Sequence, residues 1–208
     1  SEREDYDLQD FFVTTSNKQL NFLQHIMTVL APNGEAAVVL PDNVLFEGGA
    51  GETIRRRLLR NFDFHTLLRL PTGIFYKQGV KANVLFFDKK PPSDEAATKD
   101  LWIYDLRTNQ RFTLKERPMV RADLDDFIAC YRSGRRFERE ESEKFRRFPL
   151  DALLARDKVN LDIFWLKDNA LDDPDLLPSP DEVAAEIVES LETALERFRG
   201  VAAALRER

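Results

Sequence analysis

Five apolar residues in a row, Ala36-Ala37-Val38-Val39-Leu40, follow Pro32-Asn33-Gly34-Glu35 and are closed by Pro41-Asp42-Asn43. A short run of this kind suits a strand covered on both faces, and it predicts a central strand of an α/β sheet. Two further runs follow. Phe64 to Leu70 is closed by Pro71, and Val84-Leu85-Phe86-Phe87 is closed by Asp88-Lys89-Lys90-Pro91-Pro92. The segment joining them is about a dozen residues long and shows no helical period, too little for a parallel crossover. The third strand is therefore expected to return antiparallel, in a mixed sheet with helices packed on it.

Helical patterns flank the first run. Ser16-Asn17-Lys18-Gln19 fits a capping box, and Leu20, Leu23, Ile26, Met27 and Leu30 recur on one helix face. Gly48, Gly49 and Gly51 lead into Ile54, Leu58 and Leu59 interleaved with Arg55, Arg56, Arg57 and Arg60, an amphipathic pattern. Further on, Leu101-Trp102-Ile103-Tyr104 reads as an edge strand, and Leu124, Phe127, Ile128 and Tyr131 mark another helix. Arg132 to Arg147 reads as a solvated mixed-charge loop, and Leu171 to Pro180 as a linker. Last, Val183, Ile187, Leu191, Ala194, Phe198, Val201 and Leu205 step by three and four, a heptad seam opened by Ser179, Pro180, Asp181 and Glu182 as start signals.

Composition narrows the class. The 208 residues carry 31 Lys and Arg against 37 Asp and Glu, a net charge of −6, so any contact with nucleic acid must be local. No apolar stretch approaches the ~20 residues that span a bilayer, and Ser1 to Asp10 is acidic, unlike a targeting peptide. A cytoplasmic protein with no membrane association is expected. The single Cys130 allows neither an internal disulfide nor a multi-cysteine metal site, and its place beside Phe127 and Tyr131 suits a core residue.

Few residues suggest chemistry. A glycine turn at a helix start can hold phosphate or a nucleotide cofactor, but Glu52-Thr53 follows Gly51 in place of Lys-Ser/Thr. No acidic residue closes the next strand either, so a plain turn is favoured at Gly48 to Gly51. His25 and His65 are isolated in sequence and read as structural, and no catalytic triad or metal-ligand spacing is present. The segment Ile74-Phe75-Tyr76-Lys77-Gln78-Gly79-Val80-Lys81 is more informative. It places two aromatic rings, on which a base can stack, next to Lys77 and Lys81, which can meet phosphates. The competing reading puts Phe75 in the core and both lysines in solvent.

In combination these segments resemble the C-terminal half of the modification subunit of type I restriction-modification systems. The resemblance rests on Thr15-Ser16-Asn17, Phe22 to His25, Pro32 to Phe46, Gly48-Gly49-Ala50, Ile54 to Leu59, Leu70-Pro71, Ile74 to Val80, Asn83 to Lys89 and Asn160-Leu161. It implies N-6 adenine DNA methylation, in which S-adenosylmethionine methylates an adenine flipped out of the duplex. It further implies a partial Rossmann-like methyltransferase fold, a mixed sheet with an antiparallel last strand and helices on both faces, plus a C-terminal helical region.

Neither the family's glycine-rich cofactor loop nor its Asn/Asp-Pro-Pro-aromatic motif occurs in the chain. Pro91-Pro92 lies between Lys90 and Ser93 and cannot serve as the latter. The resemblance thus implies a fragment without catalytic residues, inactive alone and with no cofactor bound to it. Phe75 matches the position of the base-stacking aromatic, with Tyr76 second and Lys77 and Lys81 as DNA contacts. Residues 1–92 would complete the catalytic sheet, 93–178 form an extension, and 179–208 dock on the specificity subunit of a complex that also holds a restriction subunit and DNA. The alternative is a non-catalytic interaction module working through the 179–208 helix.

Overall fold

The computed structural model describes residues 11–76, 79–167 and scattered positions between 180 and 198. The chain divides into two compact units. The first comprises Ser1–Pro71, Lys81–Thr108 and Val120–Lys167, the second Thr72–Val80, Asn109–Met119 and Asp168–Arg208.

The first unit opens with helix α1 (Lys18–Val29), whose N-cap is Asn17; its side-chain oxygen accepts from the amides of Gln19 and Leu20. The cap thus falls one residue after Ser16, because Asn17 is the residue with extended backbone and an oxygen over the first turn. Strand β1 (Glu35–Pro41) and a short turn of helix, α2 (Asn43–Phe46), follow. Helix α3 (Ala50–Asn61) buries Ile54, Leu58 and Leu59 as its pattern predicts, and also Arg55, which is only 1% exposed. The Arg55 guanidinium donates to the carbonyls of Val44, Glu47, Lys158 and Val159. Burial lowers its pKa to about 10, so it remains a cation at neutral pH.

Strands β2 (Phe62–Arg69), β3 (Ala82–Lys89), β4 (Asp100–Asp105) and β5 (Phe145–Pro149) complete one sheet in the order β1-β3-β2-β4-β5. β3 lies antiparallel between β1 and β2, as the short connection requires, whereas β2 and β4 run parallel. Its side chains alternate between two cores. Leu85 and Phe87 point with Val38, Leu40, Leu67, Leu101 and Ile103 toward Leu20, Leu23, Leu58 and Leu59 of α1 and α3. Phe86 points the other way, its ring 5.9 Å from Phe127 and 5.2 Å from Tyr131 of helix α4 (Asp125–Tyr131). Helices therefore cover both faces of a mixed sheet.

Three strand expectations need correction. β1 is not central: among the described residues it pairs only with β3, and Val39 on its outer face is 53% exposed. Leu101 to Tyr104 is not an edge. β4 lies between β2 and β5, with Leu101, Ile103 and Tyr104 buried. The edge beyond it is β5, drawn from the stretch read as a solvated loop. Its Phe-Arg-Arg-Phe-Pro sequence lacks alternation, and it is held by Phe145, buried and stacked on Trp102 at 4.8 Å, while Arg146 and Arg147 face solvent.

The rest of that stretch is pinned as well. Arg136 bridges Asp63 and Asp88 at 3.1 and 2.9 Å, and Arg139 donates to the backbone carbonyls of His65 and Tyr131. His65 lies at a register shift in β2, its ring nitrogens 2.8 Å from Thr66 Oγ1 and 3.4 Å from Asp88. Between 180 and 198 the described positions are helical, and Val183, Ile187, Leu191 and Phe198 are exposed. The Leu171 to Pro180 linker lies almost wholly outside the described residues. No helix among them is long and apolar enough to cross a membrane.

Burial, with the positive charge of Arg136 and Arg139, drives the His65 pKa well below its ordinary value of 6.5, outweighing Asp88. Below that pH the unfolded chain takes up a proton that the folded chain refuses, so this part of the stability is complete above the unfolded value and is lost on acidification. The urea midpoint is expected to fall between pH 6.5 and about pH 5, and His65→Gln to flatten that slope. An unchanged slope in the variant would place the titration elsewhere.

Candidate functional site

β1, β2 and β4 point the same way, so their carboxyl ends and the start of β3 share one pole of the first unit. In open α/β sheets this pole is where ligands bind. Charged residues sit there directly after the apolar runs. Arg107, just past β4, donates through Nη1 and Nη2 to both oxygens of Asp42 at 2.6 and 2.9 Å, through Nε to the Leu70 carbonyl at 2.8 Å and through Nη2 to the Ala82 carbonyl at 2.8 Å. The Asn83 amide donates to Asp42 at 2.7 Å. Burial alone would raise the Asp42 carboxyl, but Arg107 and Asn83 hold it below the usual carboxylate range.

A second arginine underlies the first. Arg69, fully buried at the end of β2, meets Asp105 at 3.3 Å and Asp162 at 3.1 Å, donates to the Ile163 carbonyl and lies 3.9 Å over the Phe164 ring. Asp105 in turn accepts from the backbone amides of Arg107 and Thr108, a local turn that sets the Arg107 backbone. The segment with Asp162 is seated through Asn160-Leu161. Asn160 Oδ1 accepts the Asp162 amide, and the Leu161 amide donates to Leu45. Just before it, Lys158 and Val159 have φ of 52° and 49°, costly for a β-branched valine, and both carbonyls are bound by Arg55.

The second unit carries the aromatic segment. Thr72 bridges Arg111, and Gly73 has φ of +80° with no room for a side chain, since a Cβ there would lie 1.7 Å from the Phe112 carbonyl oxygen. Phe75 is partly exposed and absent from the buried core, and Tyr76 is 97% exposed. Lys77 lies outside the described residues. Lys81 belongs to the first unit, exposed at the foot of β3, with its carbonyl accepting the Asp42 amide.

The other sequence candidates lie outside this hydrogen-bond network. The Gly48 to Gly51 turn is packed from within: a Cβ on Gly48 would meet Lys158 at 3.2 Å and one on Gly51 would meet Arg55 at 3.0 Å. Gly48 and Gly51 thus serve close packing, whereas Gly49, at φ of +59°, serves the turn itself. His25 is exposed on α1 and not near the core, because the helix turns it away from Leu20, Leu23 and Met27. Cys130 is a half-buried thiol and not a core residue, with burial and the nearby Asp126 raising its pKa. Among the described residues no group of three or more His, Cys, Asp or Glu is gathered to hold a metal ion. Sequence reading missed Arg69, Asp105, Arg107 and Asp162, and treated Asp42 only as a strand terminator. The visible signal was charge at or near the ends of the apolar runs, Asp42 after Pro41, Arg69 before Leu70 and Asp105 after Tyr104.

The fold is a partial Rossmann-like α/β sheet of the methyltransferase type. The N-6 DNA Methylase family matches residues 2–162, and the chain belongs to it. It is 44% identical to the type I restriction enzyme StySJI methylase subunit of Salmonella typhimurium and 43% to the EcoKI methylase subunit of Escherichia coli K12. Each match covers 89% of this chain and 41% of the relative, so the chain spans about two fifths of their length. The crystal structure of the EcoKI M protein superposes with a TM-score of 0.69 at 39% identity, over 92% of this chain and 45% of that one.

Gly73→Ala is expected to break the pairing of residues 72 and 111, because both φ and the Phe112 carbonyl exclude a methyl group. Hydrogen exchange should quicken at residues 72–76 and 109–113 while β2 and β3 stay protected. Unaltered exchange would show that the backbone accommodates the methyl group.

Proposed function

We propose that this chain is the C-terminal part of a type I modification subunit that transfers a methyl group from S-adenosylmethionine to the N-6 amino group of adenine in DNA. The observation that carries the reading is β3, antiparallel between β1 and β2. It puts both ends of the Phe75-Tyr76 segment at the carboxyl pole of a sheet matching the EcoKI M protein. In this reading Phe75 stacks on the flipped adenine, Tyr76 flanks it, and Lys77 and Lys81 meet phosphates. Lys81 and Tyr76 are exposed, as such contacts require.

This reading does not assign the methyl donor to residues 48–51, where Gly48 is packed against Lys158 and Gly51 against Arg55. Its site, in this reading, belongs to other strands of the full subunit. The edge of β1 that no described strand pairs with is where they would join in this reading, since an unbroken apolar strand is suited to an interior position. The specificity subunit is the expected partner of residues 179–208, where Val183, Ile187, Leu191 and Phe198 are exposed.

Base–aromatic stacking contributes ~1–3 kcal/mol, so Phe75→Ala in the full subunit should slow adenine methylation about tenfold or more with little change in thermal midpoint. Undiminished methylation would remove Phe75 from the role. Deleting residues 179–208 should leave the sheet folded by circular dichroism and weaken co-purification with the specificity subunit. Undisturbed co-purification would assign docking to another surface.

A further inference from the structure

We propose that Arg107 is a positioning residue for the base-stacking segment, acting on its two stems and not on DNA. The inference rests on the assignment of Phe75 above. The aromatic segment leaves the sheet after Leu70 and returns at Ala82, and one guanidinium holds the carbonyls of both residues, each at 2.8 Å. The same group grips Asp42 in a bidentate pair at 2.6 and 2.9 Å, and the Asp42 amide donates to Lys81 at 3.0 Å. Arg107 thereby ties the end of β1 to the exit and the return of the segment. Its backbone is set by Asp105, itself braced by Arg69.

The pair is shielded, with the Arg107 and Asp42 side chains 11% and 16% exposed, which leaves little of it for solvent or a phosphate. A planar fork of five donors can meet three acceptor sites in different directions at once. A lysine ammonium in the same place keeps the charge but cannot span Leu70, Ala82 and both Asp42 oxygens. The Leu70 amide also donates to the Ala82 carbonyl at 3.0 Å, so Arg107→Lys is expected to leave the charge of this pole and the direct pairing of the two stems in place while removing the one group that holds both stems to the Asp42 carboxylate. Base capture needs the ring in register with an extruded adenine, so the loss falls on methylation and not on DNA affinity.

The test uses the full methylase assembled with its specificity subunit. Arg107→Lys is expected to lower the methylation rate about tenfold at saturating DNA, with KM for DNA little changed. On a duplex with an abasic site opposite the target adenine, where unpairing costs less, the defect should shrink severalfold. In a double-mutant cycle Arg107→Lys should add almost nothing to Phe75→Ala. Asp42→Asn, which keeps the size of the side chain, should reproduce the pattern more weakly and serves if the lysine variant folds poorly. Full activity of Arg107→Lys, an equal defect on both duplexes, or additivity with Phe75→Ala would each overturn the positioning role. A Phe75→Ala enzyme with normal activity would instead remove the stacking assignment on which the proposal stands.

Discussion

The structure depends on a single strand direction. β3 runs against both its neighbours, so the chain must leave β2 and re-enter β3 at the same pole where β1 ends. A parallel third strand would have carried that connection to the opposite end of the sheet. The antiparallel return brings three strand ends, at Asp42, Leu70 and Ala82, together at the pole where β1 ends, and there the Leu70 amide donates to the Ala82 carbonyl at 3.0 Å. The Leu70 and Ala82 carbonyls and the Asp42 carboxylate also accept from an arginine placed just past β4. The polar network follows from the strand order.

Buried and partly buried arginines run through the first unit, and each has a distinct employment. Arg55 seats the strained Lys158–Val159 turn against α2 and α3 through four carbonyls. Arg69 joins β2 to β4 and to the Asp162 segment. Arg136 and Arg139 fasten the 132–147 stretch over His65 and Asp88. Desolvating a guanidinium costs several kcal/mol unless its donors are met; most of these donors meet backbone carbonyls or carboxylates, while one nitrogen each of Arg69, Arg136 and Arg139 is left without a partner among the described residues. Such groups specify geometry more than they add stability: an apolar residue could fill the space, but it could not align several chain segments at once.

β1 shows a different tension. Its five apolar residues are composed for an interior strand, yet in the described structure it has one neighbour and an outer face with Val39 half exposed. Edge strands ordinarily carry charge, proline or bulges that discourage pairing. β1 has its charge and proline only at its ends, Glu35 and Pro41. The chain covers 41% of the relatives it matches.

Residues close in sequence determined much of this by themselves. The helices at 18–29 and 50–61, the strands at 35–41, 62–69 and 82–89, the antiparallel return and the aromatic segment follow from periodicity, breakers and connection length, all of which are local. Sequence could not reveal that β5 is a strand, since Phe145-Arg146-Arg147-Phe148 has no period and is held by the Phe145–Trp102 stack across the sheet. Nor could it reveal that Arg55 is inside or that Arg107 holds Asp42. An arginine's place is decided by which carbonyls and carboxylates the fold brings within reach, and those partners lie 65 residues away for Arg107 and Asp42 and 104 for Arg55 and Val159. Only the tertiary structure sets that proximity, because the electrostatic gain of such pairs arises after the apolar strands have packed and excluded water around them.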